Sequence, residues 1–358
     1  MNKQKPNMRT LYYKILRIDN VNGIASEELF QQQNEIGSYV DELVEQCVGQ
    51  EGDREYMFDP ERLTTKTRIE NIITDRNRDE ECLRIANRLA QVEHSKNDEY
   101  ANLMHNIPHG VLVVAIVDME QPGEGNKVVL AKADYTEYIE QTTGVRTTGL
   151  PTRKKIFKSF IATYQIVGGN VVFPTLITFD PQKNKASYWW NDFLELVQPR
   201  TDSDNTKTAM NVIKKDILNK IKLSYSGAYL PLYNSTMAYM KTEGDFDLED
   251  YRDNVFGAQR INAAGFDMEA WKQKITNLPN GRKKFDRHFT KIVDDITQPE
   301  VGTDIELATL VVLRIKGPFE GMADTIKAIE YEGEQGVFIS SERGYTIVDG
   351  LNNREEQE

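Results

Sequence analysis

Two β-rich runs joined by a pair of glycines restrict the fold of this chain more than any other feature. The runs extend from Ile156 to Val167 and from Val171 to Phe179, and Gly168-Gly169-Asn170 separates them. Glycine and asparagine tolerate a positive φ, so the junction predicts a tight antiparallel hairpin. Residues 188–190, Tyr-Trp-Trp, then lead into a short helical segment. This unit indicates a binding surface, and it contains no catalytic motif.

Other apolar runs predict the sheet to which this hairpin belongs. Residues 11–18 alternate as a strand does, Val111 to Val117 is an unbroken apolar run, and Lys127 to Ala133 follows after a loop. Because these strands succeed one another without long helices between them, antiparallel pairing is favoured over a parallel α/β sheet. The predicted fold class is α+β, mainly an antiparallel sheet with flanking helices, plus a small C-terminal antiparallel β region.

Helical spacing of apolar residues marks much of the remaining chain. Apolar residues between Cys82 and Val92 recur every three or four positions and predict a helix between residues 76 and 102. A similar stripe predicts a helix over 203–222, with lysines on one flank. Further helices are predicted over 37–48, 231–240, 248–255 and 268–275.

The C-terminal part returns to a β pattern. Its predicted strands form a small antiparallel meander and cover residues 307–315, 325–331, 336–340 and 345–348. The patterns together divide the chain into four regions. These are an N-terminal α/β region, mostly helical (1–106), a central antiparallel sheet with a basic rim (107–200), a helical region (201–300), and a C-terminal β meander with an acidic tail (301–358). The basic rim consists of Arg153, Lys154 and Lys155 before the hairpin and Lys183 and Lys185 after it.

Composition restricts the class of protein. A chain of 358 residues that is 39% apolar and 28% charged suits a globular protein of one large or two moderate domains. No run approaches the ~20 apolar residues of a membrane span, and the N-terminus lacks the pattern of a secretory signal. Cys47 and Cys82 lie among helix-like neighbours, which favours buried free thiols over a disulfide. A cytoplasmic location is therefore predicted.

Charge is distributed unevenly along a chain whose net charge is −12. Residues 151–222 carry 12 Lys/Arg against 6 Asp/Glu, whereas residues 292–358 carry 5 against 15. Because phosphate binding needs a local positive potential, the basic middle permits contact with DNA, although a solvated mixed surface would have the same composition. The candidate DNA-binding residues are Arg153, Lys154, Lys155, Lys158, Lys183, Lys185, Lys214, Lys215, Lys222, Arg282, Lys283, Lys284 and Arg287.

The two adjacent tryptophans, Trp189 and Trp190, permit two interpretations. They could stack on bases, as the aromatic platforms of single-strand binders do. Alternatively, one of them anchors the helical segment to the sheet as part of the core.

Motifs of known chemistry are missing from the sequence. We find neither a P-loop nor a nucleophile elbow. His105 and His109 have the spacing of metal ligands on a helix, but Pro108 between them restricts its neighbour to extended geometry. Asp180 could be the first acid of a metal-dependent nuclease, yet no acid-x-Lys triplet follows it. The sequence therefore predicts no catalytic residue, no cofactor and no metal.

The order of several motifs resembles the bacterial nucleoid-associated protein family (37-kDa nucleoid-associated protein type). The similarity covers roughly residues 10–350 and departs from the family over residues 20–75. The motifs that carry it are Asn87 to Ala90, Ile107 to Val114, Val128 to Lys132, Lys155 to Lys158, Tyr188 to Leu194 and Arg282 to Phe289. The resemblance implies association with the bacterial nucleoid through DNA or through DNA-bound proteins, and it carries over no catalytic residue.

The leading hypothesis is a cytoplasmic, nucleoid-associated, non-enzymatic protein that binds DNA with little sequence specificity. One alternative is a protein-interaction adaptor for nucleoid or DNA-processing enzymes, and another is the DNA-binding component of an antiphage defence system. A homodimer is also predicted, because the C-terminal β region could pair across a two-fold axis.

Overall fold

The computed structural model describes residues 7–28, 33–50, 52, 54–100, 107–120, 125–139, 146–150, 158–180 and 187–355. The chain divides into two compact units, an N-terminal unit (Met1–Pro199) and a C-terminal unit (Arg200–Glu358). The fold class is α+β, as predicted from the sequence.

The N-terminal unit is built on one antiparallel sheet. Its strands in chain order are β1 (Met8–Asp19), β2 (Ile24–Glu27), β3 (Glu55–Phe58), β4 (Gly110–Met119), β5 (Asn126–Asp134), β8 (Lys158–Val167), β9 (Asn170–Phe179) and β10 (Leu196–Val197). Their spatial order is β10-β3-β9-β8-β5-β4-β1-β2. The remaining strands of the unit form a separate hairpin, β6 (Thr136–Ile139) with β7 (Arg146–Gly149). Every described pairing in the sheet is antiparallel, which confirms the sequence-based prediction.

Helices cover both faces of this sheet. Helix α1 (Gln33–Val48) packs on one face, and α2 (Thr64–Ile73), α3 (Arg78–Tyr100) and the π-helical segment Tyr188–Phe193 pack on the other. Strand β4 is apolar from Val111 to Val117 because its alternate side chains enter the two different cores. Cys47 and Cys82 are buried free thiols, as predicted.

The hairpin of β8 and β9 turns at the predicted glycines. Gly168 and Gly169 adopt φ of +59° and +81°, a conformation that other residues rarely adopt. The register pairs Val167 with Asn170, so the turn contains two residues. The strands begin and end within two residues of their predicted bounds.

The C-terminal unit begins with helices. These are α4 (Asp202–Val212), α5 (Asn219–Ser224), α6 (Ser226–Lys241), α7 (Leu248–Asp250), α8 (Met268–Thr276) and α9 (Gln298–Val301). A π-helical turn at Ile213–Leu218 joins α4 to α5, and another at Tyr251–Phe256 continues α7. Short 3-10 segments lie at Leu278–Asn280 and Val293–Asp295, and β11 (Asp245–Asp247) pairs with β12 (His288–Thr290). An aromatic core that includes Tyr233, Phe246, Tyr251 and Trp271 holds these elements together.

The end of this unit contains two hairpins and two helices. Strand β13 (Thr303–Ala308) pairs with β14 (Val311–Ile315), and β15 (Ile326–Tyr331) pairs with β16 (Glu334–Ile339). Helix α10 (Met322–Thr325) precedes β15, and α11 (Glu342–Glu355) follows β16. The C-terminal antiparallel β region is therefore present as two separate hairpins, and the continuous strand predicted over 307–315 is divided by a turn.

The strand predicted over 345–348 is wrong, because these residues lie in α11. Their composition, Tyr-Thr-Ile-Val, favours a strand when it is judged alone. The hydroxyl of Ser341 accepts a hydrogen bond from the backbone N–H of Gly344 at 3.0 Å, which is the geometry of a helix N-cap. This local capping signal precedes the β-branched residues and accounts for the helix.

Candidate nucleic-acid interface

Helix α4, the π-helical turn after it, and α5 carry one side of the candidate interface. The helix starts at a capping box, in which the Thr201 hydroxyl accepts from the Asp204 N–H and the Asp204 carboxylate accepts from the Thr201 N–H. The predicted apolar stripe is buried at Met210, Ile213, Ile217 and Ile221. Burial of that stripe leaves the lysines of this segment on the flank, as the sequence predicts.

A cavity of about 580 Å³ lies between this helical segment and the chain that follows α8. Four cationic side chains line it, and they come from three separate parts of the sequence. Lys215 lies on the π-helical turn, Lys274 lies on α8, and Arg282 and Lys283 follow the 3-10 segment Leu278–Asn280. The polar residues Asn211 and Asn277 also line the cavity.

The cations of this cavity are available to an anion. Lys215, Arg282 and Lys283 are exposed, and none forms an ion pair with a residue in the part of the chain that the structure describes. The ammonium of Lys274 lies 3.7 Å from the centroid of the Trp271 ring. This contact restricts the position of the ammonium, but it supplies no negative charge to compensate it. Asp216 also lines the cavity, but its carboxylate is 3.5 Å from the Lys220 ammonium. The local charge is therefore positive.

Two further cavities continue this one along the helix. A cavity of about 370 Å³ shares Asn211 and Lys215 with the first. It shares Lys214 and Asn219 with a third cavity of about 840 Å³. We call the three together the basic groove. Its charged lining comprises eight cations against three acids, namely Lys214, Lys215, Lys222, Lys274, Arg282, Lys283, Arg314 and Lys316 against Asp216, Glu300 and Asp304.

Three cations at the far end of the basic groove are bound within the protein. The Lys214 ammonium donates to the carbonyls of Glu300 at 2.6 Å and Gly302 at 3.3 Å, and burial lowers the pKa of this lysine. Lys222 donates to the Asp304 carbonyl. Arg314 binds the Asp304 carboxylate with two hydrogen bonds of 2.8 and 2.7 Å. An anion would therefore bind most readily at the end lined by Lys215, Arg282 and Lys283.

The groove combines residues that the sequence predicted with residues that it did not. Lys214, Lys215, Lys222, Arg282 and Lys283 were candidates, and the structure brings them into one surface. Lys274, Arg314 and Lys316 were not candidates, because each is an isolated cation in its own segment. They can be identified as groove residues only because folding places them at the same cavity.

Two other candidates, Lys284 and Arg287, lie outside the residues that line the groove. The Arg287 guanidinium is paired with the Glu249 carboxylate at 3.0 Å. Lys284 is exposed and makes a contact of its own. The candidates Arg153, Lys154, Lys155, Lys183 and Lys185, and the His105 of the histidine pair, lie outside the described residues.

Lys158 does not reach the surface, so its assignment as a DNA contact is wrong. It lies at the start of β8, and its ammonium is 2.6 Å from the Asp180 carboxylate at the end of β9. Both side chains are buried. An isolated charge is expensive to bury, so this lysine is retained inside by its partner.

Lys158 belongs to a buried ionic cluster. The Lys132 ammonium, on the neighbouring strand β5, lies 2.7 Å from the Glu93 carboxylate and 3.4 Å from that of Asp134. Burial raises the pKa of both carboxyls, while Lys132 opposes that shift. Each acid of this cluster lies next to a lysine. Within the described residues, no group of three or more His, Cys, Asp or Glu side chains could hold a metal ion.

Trp189 is part of the core. It is 1% exposed, its ring centroid lies 5.0 Å from that of Phe193, and its indole N–H donates to the Ser159 carbonyl at 3.4 Å. Trp190 is half-buried against Tyr56, at a centroid distance of 5.6 Å. Base stacking by Trp189 is therefore wrong, and the alternative in which a tryptophan anchors this helical segment to the sheet holds.

No described helix is both long and apolar enough to cross a membrane. No protein-family model matches this chain, and no curated protein sequence matches it. The fold and the surface thus define the chain as a two-unit α+β protein with a basic groove on its C-terminal unit.

Proposed function

We propose that this is a non-enzymatic protein that binds DNA with little sequence specificity through the basic groove. The observation that supports the proposal is the convergence of Lys215, Lys274, Arg282 and Lys283 on one cavity. Their positive charges come together on a chain whose net charge is −12. An anionic ligand is the natural counterpart of such a surface.

The chemistry of the lining favours phosphates over bases. Lysine and arginine contact phosphate oxygens, which determines position and affinity but reads no sequence. Tyr229 is the aromatic residue among the lining residues that the structure describes, and it is buried with its hydroxyl 2.7 Å from that of Thr303. A base could not stack on it. A groove of this kind would follow a nucleic-acid backbone.

The resemblance to nucleoid-associated proteins agrees with this proposal and adds a location. We propose that the protein acts at the bacterial nucleoid in the cytoplasm. A homodimer, if formed, would place two basic grooves in one assembly. The alternatives are an adaptor for DNA-processing proteins and a DNA-binding component of antiphage defence. The following experiment distinguishes the adaptor from a DNA-binding protein.

The test is fluorescence anisotropy of a labelled duplex at several salt concentrations. For wild type, we expect binding that weakens by about 0.9 log units per log unit of salt for each phosphate contact. Arg282→Glu/Lys283→Glu should bind weakly and lower the slope by roughly 1.8, because two contacts are lost. The matched control is Arg76→Glu/Arg260→Glu, which makes the same change in net charge at two exposed residues outside the groove.

Three results would contradict the proposal. They are absence of wild-type binding at low salt, an affinity independent of salt, and equal loss in the groove variant and its control. Absence of wild-type binding would favour the adaptor. A pull-down should then still recover its protein partners after nuclease treatment. Arg153→Glu/Lys154→Glu/Lys155→Glu in the same assay tests the predicted basic rim separately.

A further inference from the structure

Exposed apolar side chains are concentrated in the last part of the C-terminal unit. The hairpin of β15 and β16, together with α11, carries eight large ones. They are Ile329, Tyr331, Val337, Phe338, Ile339, Tyr345, Ile347 and Val348, between 40% and 72% exposed. We call residues 326–355 the C-terminal arm. A two-stranded hairpin is marginally stable by itself in water, so an arm of this composition needs a partner surface.

The unpaired edge of β16 is the part of this arm best suited to pair with another strand. Among the described strands, β15 and β16 pair only with each other, so each has one unpaired edge. Natural edge strands are usually protected by charged residues or proline. Strand β15 carries Lys327 and Glu330, whereas on β16 the segment from Gln335 to Ile339 carries neither a charge nor a proline.

The register shows which residues face outward along that edge. Tyr331 pairs with Glu334 across a two-residue turn, and the Ser340 N–H donates to the Thr325 carbonyl at 2.8 Å. Backbone groups alternate in direction along a strand, so Glu334, Gly336 and Phe338 face β15. The N–H and C=O groups of Gln335, Val337 and Ile339 therefore point to the open side.

We infer that β16 pairs antiparallel with β16 of a second copy of this chain, about a two-fold axis at Val337. This register places Val337 opposite its own copy, Gln335 opposite Ile339, and Glu334 opposite Ser340. No two charged residues are opposed, and two hairpins become one four-stranded sheet. The strand is thus complementary to itself, which is the requirement of an isologous interface.

The exposed apolar side chains of the hairpin lie on both of its faces, because side chains alternate along a strand. Val337 and Ile339 share one face, and Phe338 lies on the other. Edge pairing joins each face to the same face of the second copy. Val337 then contacts its own copy, and Ile339 contacts Gln335 of the second copy, so apolar area is buried across the axis.

The experiment measures the mass of the full-length protein in solution without DNA, by light scattering after size exclusion. One chain has a mass of 41.1 kDa, and wild type should have twice that mass. Val337→Lys and Val337→Asp should each be monomeric, because like charges meet at the axis. An equimolar mixture of the two variants should regain the double mass, because opposite charges then meet.

Leu310→Lys and Leu310→Asp are the matched controls, because Leu310 is an exposed apolar residue of the other hairpin region. They should remain dimeric. Circular dichroism confirms that each variant is folded, which the partial exposure of Val337 leads us to expect. A monomeric wild type, dimeric Val337 variants, a mixture that stays monomeric, or equal dissociation of the Leu310 variants would each overturn the inference. These results do not depend on DNA binding, since no DNA is present.

Discussion

Removing the Lys132 side chain from the buried ionic cluster should destabilise the N-terminal unit severely. The Lys132 ammonium is 2.7 Å from Glu93, 3.4 Å from Asp134 and 3.0 Å from the Pro108 carbonyl. In Lys132→Met these contacts are lost. Among the described residues, Glu93, which is fully buried, then keeps only Asn20 at 3.3 Å and the Tyr188 hydroxyl at 3.5 Å.

The expected loss is about 3–5 kcal/mol, because breaking a buried pair from one side leaves an uncompensated charge. A native domain is stable by only about 5–15 kcal/mol, so the change should be large in any unfolding measurement. The exposed pair Lys220–Asp216, at 3.5 Å, provides the comparison. Lys220→Met should cost less than about 1 kcal/mol.

The loss should depend on pH with a definite sign. In wild type, burial raises the pKa of Glu93 above its usual value of 4.5, and Lys132 opposes the rise. Without Lys132 the pKa of the folded carboxyl rises further. As the pH increases above 4.5, the Glu93 carboxyl ionises in the unfolded protein at a lower pH than in the folded protein. The variant therefore loses stability toward neutral pH. The difference from wild type should therefore be smallest in acid.

Urea unfolding followed by tryptophan fluorescence measures this effect. A Trp271→Phe background leaves Trp189 and Trp190, so the signal reports the N-terminal unit. Glu93→Gln/Lys132→Met should recover part of the stability, since no full charge remains at residue 93. A loss below about 1 kcal/mol in Lys132→Met, or a double variant less stable than the single one, would refute the reasoning.

The remaining predictions concern single groups. Burial raises the pKa of Cys47 to about 12 and that of Cys82 to about 11, so neither thiol should react with iodoacetamide at pH 8 until the protein is unfolded, as mass spectrometry would show. The Arg252 guanidinium and then Lys272 lower the pKa of Asp253 from 3.8 to about 2. This carboxylate contributes stability above pH 3.8 that is lost as the pH falls toward 2, so Asp253→Asn should lower the urea midpoint at pH 6 but not near pH 2. A constant difference across that range would contradict this assignment.

Local sequence patterns predicted the elements that depend on neighbours in the chain. The turn at Gly168 and Gly169 follows from the positive φ that glycine tolerates. Strand β4 follows from its unbroken apolar run, and the helical segment over residues 202–224 follows from its stripe. The fold class followed from the order of these elements. Where two local signals conflicted, as at residues 342–348, composition alone predicted the wrong element.

Tertiary structure decided which charges are exposed and which cations lie together. Lys158 and Lys215 were both candidate DNA contacts in the sequence, yet one is buried against Asp180 and the other lines the basic groove. Nothing local distinguishes them, because burial depends on partners that are distant in sequence. Arg314 reaches the groove from a hairpin about a hundred residues beyond Lys215 for the same reason. Periodicity along the chain determines local elements, whereas the electrostatic surface depends on contacts between residues that only folding brings together.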